Sequence, residues 1–132
     1  MKRRLVAAAL VLVFPFGMAA CGAQSKEAAC KQIQKAATTA SSEINFDANS
    51  NENDFKEGLD KALKIYKKAA KKVTNNDVKA AYADVITDMD KLADAMNNGA
   101  DFYESDEVLD LTTELSAHGE KLNELCDFSW DR

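Results

Sequence analysis

A chain of 132 residues, 46% hydrophobic and 30% charged, holds enough apolar material for one domain's core and not for two. Its 22 acidic residues outweigh 17 basic ones for a net charge of −5, which argues against nucleic acid as a partner. One proline and five glycines exclude a turn-rich β architecture, and because that proline is Pro15, long uninterrupted helices are permitted everywhere after it.

At the start of the chain, Met1-Lys2-Arg3-Arg4 is a basic segment, and Leu5 to Ala20 is an apolar run broken by Pro15 and Gly17. The run is too short and too interrupted for a good membrane span, and it has the organisation of an export signal. Met18-Ala19-Ala20-Cys21, followed by Gly22, resembles the lipobox of bacterial lipoprotein precursors, with Met18 standing where leucine is usual. The resemblance covers residues 1–22 and names a processing class, not a function. It implies that residues 1–20 are a signal peptide and that the Cys21 thiol receives a diacylglyceryl group, acyl chains such as palmitate then holding the protein. Cys21 becomes the new N-terminus, on the extracytoplasmic face of the cell membrane. The alternative is an ordinary secretory signal cut near Ala20, with Cys21 a free thiol.

Loss of residues 1–20 removes Lys2, Arg3 and Arg4, so 14 basic residues remain against 22 acidic, a net charge of −8. Lipidation of Cys21 leaves Cys30 and Cys126 near the two ends of the mature chain. An even remainder in an oxidising compartment predicts one disulfide.

After a short tether, residues 21–25, apolar residues recur at alternating spacings of three and four, the stripe of a helix facing a core. The first stripe is Cys30, Ile33, Ala37, Ala40 and Ile44, with Ser25 as N-cap. A polar loop, Asn45 to Asn53, leads to a second helix capped by Asn53, with Phe55, Leu59, Ala62, Tyr66, Ala69 and Val73 inward. Thr74-Asn75-Asn76 ends it. The third stripe is Val78, Tyr82, Val85, Met89, Leu92 and Met96, closed at Gly99 in the left-handed position after a helix. The fourth begins at Ser105, with Asp106 and Glu107 near its positive end, and carries Val108, Leu111, Leu115, His118, Leu122 and Leu125. Gly119 weakens it by about 1 kcal/mol relative to alanine.

Short connections between helices of roughly 30 Å favour antiparallel neighbours. The expected fold is therefore all-α: an up-down four-helix bundle over residues 26–126 with a tail, 127–132. That topology brings the start of the first helix beside the end of the last, which places Cys30 next to Cys126 as a disulfide requires. The tether is short, so the disulfide end faces the membrane and both longer loops point away. Phe46, Phe102 and Tyr103 lie in those distal loops and are the candidate interaction surface, the competing role for the aromatics being to cap the core. At the membrane end Lys64, Lys67, Lys68, Lys71 and Lys72 read as helix-end solubility with pairing such as Asp60 to Lys64, or as a basic collar for anionic headgroups.

His118, the single histidine, falls on the fourth stripe level with Tyr66 and Tyr82, with Thr38 nearby. These form a candidate interior polar layer, a buried histidine needing partners. Met89 and Met96 sit at core spacing and serve packing before they serve copper. Asp47 to Asn53 begins like a calcium loop but has Glu52 where the turn glycine belongs and Gly58 where the closing acid belongs. No nucleophile motif, glycine-rich phosphate loop, Cys-x-x-Cys pair or metal-spaced histidine pair occurs, so no catalytic residue, metal or cofactor is assigned. The expectation is a non-enzymatic binding module, tethered to the membrane by its lipid and facing another envelope protein. The alternative is a small-molecule or metal binder using the interior layer.

Overall fold

A computed structural model describes residues 22–44 and 49–128. They form four helices: α1 (Lys26–Glu43), α2 (Glu52–Ala70), α3 (Asn76–Asn97) and α4 (Asp106–Cys126). The fold is the expected all-α, up-down four-helix bundle, with Cys30 on α1 bonded to Cys126 at the end of α4 and their Cα atoms 5.4 Å apart.

Each helix starts where a side chain can satisfy its free N–H groups. Ser25 accepts from the Ala28 N–H, Asn75 from that of Val78 and Ser105 from that of Val108. The second helix begins two residues earlier than expected, at an Asn51 cap. The Asn51 side chain accepts from the backbones of Asn53 and Asp54, while the Asp54 carboxylate accepts from the Asn51 N–H at 2.9 Å. Asn53 offers no such reciprocity, because the residue three positions on is Lys56 rather than an acceptor. At the other end of α3, Gly99 takes φ +90°. There the Ala100 N–H bonds to the Ala95 carbonyl and the Gly99 N–H to that of Met96, closing the helix as its sequence suggests.

The four helices share burial unequally. α3 is central, packing along both α2 and α4 and burying ten residues, whereas α4 fully buries only Val108 and Leu122. Leu111, Leu115 and Leu125 of the fourth stripe are half-buried against the core's edge. α1 is rich in alanine, with Ala29, Ala36, Ala37 and Ala40 buried, and it also touches α3 across the bundle diagonal. In consequence α1 and α4 meet less closely than any other touching pair, and the bundle is open along that seam.

At the base, Gln24 is pinned to the α2–α3 turn. Its N–H donates to Thr74 Oγ1 at 2.9 Å, its side-chain oxygen accepts from the Thr74 N–H at 2.7 Å, and its carbonyl accepts from the Asn75 amide. Cys21 lies three positions before this fixed point, at most about 10 Å of chain. No helix among the described residues is long and apolar enough to cross a membrane. Cys21 itself, with the rest of residues 1–21, lies outside the described residues, as do Phe46 and Trp130.

Candidate functional site

At the tip of the bundle, the α3–α4 loop turns on Asp101, whose carboxylate accepts from the N–H groups of both Tyr103 and Glu104. This fixes the two aromatic side chains in opposite roles. Phe102 turns inward, half-buried, with its ring centroid 4.8 Å from that of Phe55. Tyr103 turns outward and is 84% exposed, the most exposed large hydrophobic side chain described. It is steadied edge-on against Phe102 at 5.2 Å. The pair therefore divides between capping the core and presenting a ring to solvent.

The polar layer expected across Tyr66, Tyr82, Thr38 and His118 divides in two. Tyr66 and Tyr82 come together, their rings edge to face at 6.2 Å, and the Tyr82 hydroxyl donates to the Tyr66 carbonyl at 3.3 Å. Burial pushes both phenols above their ordinary range, with the neighbouring Tyr66 adding to the shift of Tyr82. Thr38 stays at the surface and donates to the Gln34 carbonyl of its own helix.

His118 pairs instead with Asp88 of α3, through Nδ1 and Oδ2. Asp88 is 2% exposed, whereas the His118 side chain is 37% exposed, so a buried carboxylate is held by an imidazole that reaches water on its other side. Lys91 adds a longer contact, 3.9 Å from Asp88 and 3.6 Å from Glu114. Sequence reasoning missed Asp88. The signal was present, since Asp88 lies three residues after Val85 and four before Leu92, at core spacing on the third helix.

Beside the tyrosines, a cavity of about 320 Å³ opens at the α1–α4 seam. Tyr66, Tyr82 and Met89 line it together with Gly119, Leu122 and Asn123 of α4. Met89 thus serves as cavity wall, while Met96 is wholly buried.

The lysines of the second helix do not form one collar. Lys67 bonds Asp90 of α3 at 2.6 Å, while Lys64, Lys68 and Lys72 face α1 and, with Lys35, line a groove of about 430 Å³ that Glu43 closes at one end. The expected Asp60–Lys64 pair does not form, and the four groove lysines have no ion pair among the described residues. Before α2 the Asn51 side-chain oxygen is committed to capping, and no cluster of three or more metal-ligating side chains occurs among the described residues.

No protein-family model, curated protein or solved structure matches the chain.

Proposed function

We propose that this chain is an extracytoplasmic lipoprotein, tethered through Cys21, that acts as a non-enzymatic binding module and presents its distal tip to another protein of the cell envelope. The observation that carries the reading is the Cys30–Cys126 disulfide. Structural disulfides belong to oxidising compartments, and this pairing leaves Cys21 as the odd cysteine, in the lipobox-like context of Met18-Ala19-Ala20-Cys21. The base of the bundle supports the same orientation, since Gln24 is bonded to the α2–α3 turn within three residues of the proposed anchor. Tyr103 then stands at the far end, on a loop held by Asp101. Loops held on a rigid scaffold often carry binding, and exposed aromatics are enriched where partners dock.

One membrane preparation tests both halves. The intact mass is expected to equal residues 21–132 plus acyl groups and to rise by two hydrogens on reduction. A photo-crosslinking residue at position 103 is expected to capture one discrete partner, whereas the same residue at position 31, near the base, is not. An unlipidated chain overturns the anchor, and equal capture from both positions overturns the tip.

A further inference from the structure

Charge is unevenly divided along this chain. Residues 21–73, which include α1 and α2, carry ten lysines against seven acidic residues, whereas residues 74–132 carry four basic residues against fifteen acidic ones. Between Asp60 and Asp77 there are six lysines and no acid. A chain acidic as a whole thus keeps one cationic region, and such asymmetry points to an anionic partner.

Ordinary roles for surface lysines do not account for the four that line the α1–α2 groove. Lys31, Lys56 and Lys61 each pair with the glutamate four residues before, but Lys35, Lys64, Lys68 and Lys72 are exposed without an ion pair among the described residues. The dipole of α2 favours cations in its last turn, which covers Lys68 and not Lys64, and Lys35 lies in the middle of α1. Lys64 and Lys68 are four apart on one helix, a spacing at which like charges repel, and Lys72 follows at the same interval just past the helix end. The groove that all four line has a volume of about 430 Å³, and an anion held there relieves the repulsion.

Its position says which anion is at hand. Lys72 is two residues before Thr74, which is bonded to Gln24, and Cys21 lies three positions before Gln24. From there Lys68 and Lys64 rise along α2 by about 12 Å in all, at about 1.5 Å per residue, towards the level of Lys35, and Glu43 closes the groove at the distal end. A headgroup layer is only about 5–8 Å deep on each side of a bilayer. An upright bundle therefore brings Lys72 into it and leaves Lys64 and Lys35 above. A bundle leaning onto its α1–α2 face brings in all four and lifts the acidic helices away.

We propose that the α1–α2 groove binds the phosphate groups of anionic lipid headgroups, so that the bundle leans on the bilayer along its first two helices. This rests on the lipid tether proposed for Cys21, to which a polybasic patch adds the second signal that firm attachment needs. Tyr103 still projects from the surface, since Glu43 keeps the distal half of that face off it.

The test is lysine footprinting on the lipidated chain purified from membranes and reconstituted into two kinds of vesicle, one of phosphatidylcholine alone and one with phosphatidylglycerol at about one part in three. Acetic anhydride, an uncharged reagent, reports how open each amine is. Lys35, Lys64, Lys68 and Lys72 are expected to react about fivefold more slowly in the anionic vesicles, the equivalent of about 1 kcal/mol per lysine at an anionic surface. Lys79 and Lys121, exposed towards the same end of the bundle on α3 and α4, are expected to react alike in both. Lys64→Gln with Lys68→Gln is expected to return Lys35 to its rate in neutral vesicles.

The proposal is overturned by equal rates in the two vesicles, by slowing confined to Lys72, which describes an upright bundle, or by equal slowing of Lys79 and Lys121, which is surface potential alone. It is also overturned if micromolar inorganic pyrophosphate slows the four lysines as much in neutral vesicles, the mark of a site for free phosphate. Slowing in neutral vesicles that grows with protein density overturns it too, since the acidic helices of a second copy then cover the groove. Both vesicles take up acyl chains alike, and intact mass is measured first, so a missing lipid and a groove that touches no headgroup are separate results. The comparison on the native chain stands whether or not the variant folds.

Discussion

Asp88 is the residue whose environment constrains the chain most. A carboxylate 2% exposed between helices is costly to bury without partners, and its main partner is His118, with Lys91 more distant. Removing one member of a buried pair typically costs 3–5 kcal/mol, and the exposure of His118 and the help of Lys91 reduce that here. His118→Ala is therefore expected to lower stability in urea by about 2 kcal/mol. Replacing Asp88 and His118 together by leucine is expected to recover most of the loss, because no orphaned charge remains. A single variant as stable as the native protein would show that Asp88 needs no imidazole. The position of His118 on an apolar stripe was legible in the sequence and its partner was not. Periodicity places a residue on a face, but which residue lies opposite depends on how far two helices slide along each other.

Among the elements, the helix starts follow from local chemistry, and the shift at the start of α2 has a local cause. Ser25 and Ser105 cap where their sequences place them, and Gly99 takes the left-handed turn. The α2 boundary moved because two asparagines compete and only Asn51 has an acid three residues on to return the bond. Asn51→Ala is accordingly expected to cost about 1 kcal/mol, as lost N-caps do. Asn53→Ala should stay within about 0.5 kcal/mol of the native chain. Equal losses in parallel denaturant titrations would contradict the observed cap. The lysines of α2 teach the complementary lesson: consecutive turns of one helix send Lys67 to α3 and Lys64 and Lys68, with Lys72 just past the helix end, to the α1 groove. Their number is a sequence property, whereas their separation into two faces follows from the neighbours of α2.

For the whole molecule, the disulfide and the open seam belong together. The bond spans 96 residues, and closing so long a loop stabilises by about 4 to 5 kcal/mol on the chain-entropy account. Cys30→Ala with Cys126→Ala is expected to lose about that much in guanidinium unfolding. Amide exchange should accelerate first in α1, which has little else joining it to α4. A loss below about 1 kcal/mol would mean that seam packing, not the crosslink, closes the bundle. By itself the sequence determined the helix count, the up-down order, the cap residues at two of four helix starts and the Cys30–Cys126 pairing. All of these follow from local hydrogen bonding, the helical period and short connections. Only the tertiary structure decided that Asp88 meets His118, that Phe102 turns in while Tyr103 turns out, and that a cavity opens beside Tyr82 and Gly119. Those outcomes depend on the distances between helix axes, which the sizes of side chains on four helices set together and no single stripe encodes.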